Sequence, residues 1–172
     1  MKRLLKTFIV ALCLGSSAIA ANNPQAAAVH IEADRAEMRE QDNISTYTGN
    51  VKISHGSMQI KGDTVTIESK PTGELSLITV TGKPAKFKHI NDQGEQVDAQ
   101  SESLLYLAES GMLELKINAL LSKGQNQFSS QHIIYDSQRN IVKAGQDNIE
   151  NTSQPGRVQI TIQPDKNNKS KE

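Results

Sequence analysis

Side chains able to do chemistry are present in this chain but do not gather. The four histidines, His30, His55, His89 and His132, are scattered and show none of the short spacings that bring ligands to one metal ion. There is no G-x-S-x-G, no H-E-x-x-H and no phosphate-cradling P-loop in the sequence. Acidic residues such as Asp34, Glu37, Asp63 and Glu102 alternate with apolar ones, as on a solvated outer face, and nothing in their spacing points to a carboxylate pair. The reading is a protein that is not an enzyme and needs no cofactor and no metal. What the spacing does offer is a surface for binding. Val29, Ile31, Val51, Ile53, Ile60, Phe87, Tyr106, Leu115, Leu121 and Phe128 share one face by alternation, while Lys52, Thr66 and Lys116 fall on the other.

That face is aliphatic, and it is small at Ala33, Gly49, Gly62, Ala99, Ala119 and Ser130, which leaves room between facing sheets. A long, loosely filled apolar groove suits acyl chains. Each CH₂ taken out of water is worth about 0.8 kcal/mol, so one long chain gains roughly 10 kcal/mol. A dry, filled β core is the plainer alternative.

The elements that hold this face repeat. Residues 29–68 can be laid over 97–136 with a constant offset of 68 and no gap. Val29/Val97, Asn50/Asn118, Ser54/Ser122, Gly56/Gly124 and Gln59/Gln127 are identical, and the apolar positions coincide in period 2. Turn residues punctuate the strands at Arg39–Asn43, His55–Ser57, Lys70–Gly73, Ser110–Gly111, Lys123–Gln125 and Ser137–Asn140. Gly82-Lys83-Pro84 is read as ending a short strand over 75–81, before Ala85 and Phe87 alternate again. Residues 101–115 have helical propensity, but Glu109-Ser110-Gly111 interrupts them, and the repeat assigns two strands and a turn. A last strand carries Val158, Ile160 and Ile162 and stops at Pro164. The fold class is therefore all-β, a sandwich, barrel or solenoid.

Residues 1–20 read as a secretory leader: Lys2, Arg3 and Lys6, an apolar run from Phe8 to Gly15, and Ala18-Ile19-Ala20 as the cleavage site after Ala20. The apolar run is too short to span a bilayer. Cys13, the one cysteine, leaves with the leader, so no disulfide framework is expected despite export. Residues 21–28 form a flexible lead-in, 29–164 one domain, and 165–172 a disordered tail. The chain has 19 basic and 19 acidic residues; without the leader's three basic residues the balance is 16 against 19, a net −3. That argues against nucleic acid as the partner.

Five segments, in order, carry a resemblance. Val29-His30-Ile31-Glu32-Ala33-Asp34 looks like an opening strand, Tyr47-Thr48-Gly49-Asn50-Val51 resembles "F-T-G-N-V", Ile60-Lys61-Gly62-Asp63-Thr64-Val65 resembles "I-x-A-D-x-V", Gly82-Lys83-Pro84-Ala85-Lys86-Phe87 resembles "G-x-P-A-x-F", and Gly156-Arg157-Val158 precedes the last strand. Together they resemble the OstA-like family. Gly62 stands where the family has Ala, and the second "G-N" reads Ile117-Asn118. The resemblance implies a twisted, V-shaped β-jellyroll, open at both ends, with two internal repeats. It implies a periplasmic lipopolysaccharide carrier bridging the inner and outer membranes of a Gram-negative cell. Acyl chains of lipid A lie in the groove while the sugars stay in water. Protomers join head to tail through sheet edges, here Val29 and Ile31 on one side and Val158, Ile160 and Ile162 on the other. An inner-membrane LptC-like component and an outer-membrane LptD-like component take the two ends. Competing readings are a membrane-anchored relative in the same pathway, an exported structural or adhesive β-solenoid with a dry core, and a closed lipocalin-like barrel.

Overall fold

Among the described residues, the alternation read from the sequence becomes ten strands in one antiparallel sheet. The computed structural model describes residues 28–91, 93–145 and 157–163. The leader, most of the lead-in and the tail lie outside the described residues. The strands are β1 (Val29–Glu32), β2 (Arg35–Arg39), β3 (Ile44–His55), β4 (Met58–Ser69), β5 (Leu75–Ile90), β6 (Gln96–Leu107), β7 (Met112–Lys123), β8 (Asn126–Asp136), β9 (Ile141–Ala144) and β10 (Gln159–Thr161). The order is β1-β3-β4-β5-β6-β7-β8-β10, with β2 also on β3 and β9 also on β8. β1 and β2 thus share one edge and β9 and β10 the other, and no ladder joins the two edges among the described residues. Over the described residues the sheet is open, in keeping with the jellyroll expectation and against a closed barrel.

The repeat extends to the hydrogen-bond register. Val29 pairs with His55 and Arg35 with Thr48, and 68 residues on Val97 pairs with Lys123 and Ser103 with Lys116. β3 and β7 carry the same irregularity, between Thr48 and Val51 and between Lys116 and Ala119. Further breaks in register fall beside these, between Lys61 and Thr64, Thr81 and Ala85, and Gln100 and Ser103. The result is one line of bulges across the sheet. A bulge bends its strand and increases its twist, so the line divides each long strand into two differently directed halves.

This line corrects one expectation. Gly82-Lys83-Pro84 does not end a strand; β5 is a single 16-residue strand that passes through them. Proline has no N–H for a ladder, and Pro84 sits where the register with β6 is interrupted, so nothing is lost. The sequence reading also missed β9, whose four residues carry too little alternation to stand out.

Candidate functional site

Alternation puts the apolar residues of every long strand on the same side. In β3 Val51 and Ile53 are buried while Lys52 and Ser54 are exposed; in β4 Met58 and Ile60 are buried while Gln59 and Lys61 are exposed. Of the residues expected to line a groove, Val51, Ile53, Ile60, Phe87, Leu115 and Leu121 lie in one core, each 5% exposed or less. Ile31, Tyr106 and Phe128 are partly buried and pack against it. Val29 shares their face but is 57% exposed at the strand end. Of the edge residues, Ile160 pairs with Phe128 and stays exposed, as do Val158 and Ile162. The face is continuous, and it includes core members the sequence list omitted: Ile78, Val80, Leu104, Leu113 and Ile133. The same alternation marks them, so the signal was available.

The expected loose filling is not found. A Cβ on Gly62 would stand 2.5 Å from Val80 Cγ1 and 2.9 Å from the Thr81 carbonyl, which is why this chain has no alanine there. A Cβ on Gly49 would collide with the carboxylate of Asp34. Ala99, Ala119 and Ser130 are buried. The face is therefore closed on itself rather than standing open.

How it is closed matters. Among the described residues, strand backbones come within 8 Å of one another, Cα to Cα, only where the strands pair in the ladder. Across the core the two sides meet through side chains alone. Phe87 and Tyr106 stack obliquely with centroids 5.6 Å apart, and burial raises the Tyr106 phenol above its ordinary pKa of 10.0. Tyr47, Ile67, Leu75, Val142 and Ala144 form the partly exposed rim of the same core.

Sequence reasoning placed Asp34 and Glu102 on a solvated face, and the structure gives them a task. Asn50 Nδ2 donates to Asp34 Oδ2 at 3.0 Å, and 68 residues on Asn118 Nδ2 donates to Glu102 Oε1 at 2.8 Å. Both asparagines take the left-handed conformation, φ 46° and 55°, preceded by Gly49 at 82° and Ile117 at 66°. The departure at Ile117 therefore leaves the repeated bulge in place. Among the described residues no group of His, Cys, Asp or Glu is arranged to hold a metal ion. His30 faces Glu32, His89 Nδ1 lies 3.0 Å from Ser57 Oγ, and His132 Nε2 lies 2.7 Å from Glu114 Oε1.

An open antiparallel sheet with one long apolar face has known counterparts. Residues 30–141 match the family described as LptA/(LptD N-terminal domain) LPS transport protein. The chain belongs to this family. It is 30% identical over 162 residues to the lipopolysaccharide export system protein LptH of Pseudomonas aeruginosa, covering 92% of this chain and 93% of that one. It is 32% identical over 133 residues to the lipopolysaccharide export system protein LptA of Escherichia coli, covering 72% and 71%. The crystal structure of Pseudomonas aeruginosa LptH superposes with a TM-score of 0.71 at 28% identity, covering 80% of this chain and 96% of that one. That structure is described as the LptA-homologous periplasmic component of the lipopolysaccharide transport device. Membership in the LptA/LptD N-terminal domain family fits the shared apolar face better than any of the closed or catalytic alternatives.

Proposed function

We propose that this protein is a periplasmic lipopolysaccharide carrier that takes acyl chains along the core-facing side of its sheet and passes the lipid from the inner towards the outer membrane. Export would use the leader, removed after Ala20. The observation that carries the reading is the combination of an unclosed sheet with an apolar face held together only by side chains. Parting the two sides breaks no backbone hydrogen bond. The loss of side-chain burial is offset when acyl chains enter, at about 0.8 kcal/mol per CH₂. The lining on this reading is Ile31, Val51, Ile53, Ile60, Phe87, Tyr106, Leu115, Leu121 and Phe128, with Val29 at the mouth.

The same openness leaves two unpaired edges, each a row of backbone donors and acceptors. Pairing β10 of one copy with β1 of the next continues the sheet and its apolar face. Such a contact is heterologous and grows as a rod rather than closing as a dimer. On this reading an inner-membrane LptC-like protein and an outer-membrane LptD-like protein offer the terminal edges. Nothing in the work requires catalysis or a cofactor.

The filled core favours one other reading, an exported structural β-protein with a dry interior. Binding separates them. Purified protein is incubated with lipopolysaccharide, and retained lipid is measured for the wild type and for Phe87→Asp. The carrier binds lipid, and the fraction of Phe87→Asp that is folded by circular dichroism loses it. A wild type that retains none is a structural protein.

A further inference from the structure

The outward face of the sheet carries charge that folding does not explain. Lys52 on β3 stands opposite Lys61 on β4, and Lys61 stands opposite Lys86 on β5. Like charges directly opposite on neighbouring strands destabilise a sheet. Lys52 is offset by Glu32 at 3.3 Å, and Lys88, on the same face as Lys86, by Asp98 at 3.6 Å. Lys61 and Lys86 are exposed and have no ion pair among the described residues. The surface around them is not flat. A hollow of about 330 Å³ is lined by Lys61, Lys86 and the Lys88–Asp98 pair, by Gln59, Gln100 and Ser122, and by the apolar Phe87, Ala99 and Leu120, so that its uncompensated charge is that of Lys61 and Lys86.

A hollow of that volume lies in the range of small-molecule sites. Its side chains define the chemistry it takes. Ammonium groups suit the oxygens of a phosphate. Side-chain amides and a hydroxyl suit sugar hydroxyls, donating and accepting at once. A flat membrane surface needs no hollow, and an acidic protein needs no such set of amides. The hollow also lies near the strand ends: Gln59 follows the turn at Gly56–Ser57, and Lys88 precedes the one after Ile90. At about 3.3 Å per residue, a group emerging at the end of the apolar face has only a short way to bend over the turns.

We propose that this hollow binds a phosphate-bearing saccharide, the water-exposed part of the lipid whose acyl chains the core face takes. This rests on the carrier reading and adds a second, polar point of attachment on the opposite face of the same strands. Binding there is sensitive to salt, because the ammonium groups are exposed.

The test uses fully deacylated lipopolysaccharide, which keeps sugars and phosphates and lacks acyl chains, titrated calorimetrically into the full mature protein. The same saccharide after phosphatase treatment and inorganic phosphate alone are the comparison probes. The expected result is binding of the phosphorylated saccharide, weakened about tenfold or more in Lys61→Gln/Lys86→Gln by loss of charge-assisted hydrogen bonds. The dephosphorylated probe is expected to bind more weakly than the phosphorylated one. The double variant is expected to unfold at the same temperature as the wild type or a higher one, since it removes like-charge repulsion. Equal binding by wild type and variant, or of both saccharides, overturns the proposal. Inorganic phosphate binding as tightly as the saccharide overturns it too, in favour of a simple anion site. Intact lipopolysaccharide is assayed alongside with a photo-crosslinker at Val51. Capture there, with a saccharide indifferent to Lys61 and Lys86, sinks this site alone; no capture there sinks the carrier reading itself.

Discussion

Ile117 is the residue on which the second repeat departs from the first, and it takes the strain of that departure. A β-branched side chain at φ 66° occupies the region that glycine, as at Gly49, enters without penalty. Left-handed backbone costs an L-residue about 1–2 kcal/mol, and glycine returns part of that through unfolded-state entropy. Ile117→Gly is therefore expected to raise stability by about 1 kcal/mol in denaturant unfolding; an unchanged or lower midpoint means its half-exposed side chain outweighs the strain. Gly49→Ala is expected to do the opposite, losing about 2 kcal/mol, because the new Cβ meets the Asp34 carboxylate as well. Glu114 is the other residue with a measurable signature. Burial pushes its carboxyl up, but hydrogen bonds and charge from Lys116 and His132 outweigh that and leave it below its ordinary 4.5. A carboxylate lowered in the folded state adds stability that is complete above the unfolded value and is lost as pH falls through the folded one. Unfolding of Glu114→Gln followed from pH 7 to 3 is expected to show a shallower acid decline than the wild type; parallel curves contradict the assignment.

Strands are where the sequence was most legible. Val51, Ile53, Ile60, Phe87 and Leu121 were placed on one face by period 2 alone, and the turns at 56–57, 110–111 and 124–125 came from their glycines and polar neighbours. Besides the short β9, three things were not legible. The passage of β5 through Gly82-Lys83-Pro84 depends on a bulge, and turn residues serve a bulge as well as a chain reversal. The pairs Asp34–Asn50 and Glu102–Asn118 exist because register brings residues 16 apart together. The packing that fills the space at Gly62 comes from Val80 on a neighbouring strand. Each is a tertiary fact that no local pattern encodes. At the edges, β10 is a three-residue strand that, among the described residues, pairs with β8 alone. Ile160→Pro removes a backbone donor there and leaves β3 to β8 untouched. Wild-type protein is expected to sediment as rods that lengthen with concentration, and the variant as a monomer with unchanged unfolding. Identical sedimentation of the two removes β10 from the interface.

At the scale of the whole molecule, the open sheet and the closed core are two aspects of one design. Among the described residues the backbone makes no bond across the core, so on the proposed carrier function the apolar face is dry when empty and lined with acyl chains when loaded. A carboxylate placed there is costly in both states: Val51→Asp is expected to lose several kcal/mol of stability and, if it folds, to bind lipid poorly. The most direct test of the central claim is photo-crosslinking with lipopolysaccharide present. The crosslinker is placed at Val51, Ile53, Phe87 or Leu121 on the core face, and at Thr66 or Lys116 on the outward face, away from the lysine hollow. The account predicts lipopolysaccharide adducts at the first set and none at the second. Equal capture at both sets, or capture only from the outward face, would contradict it.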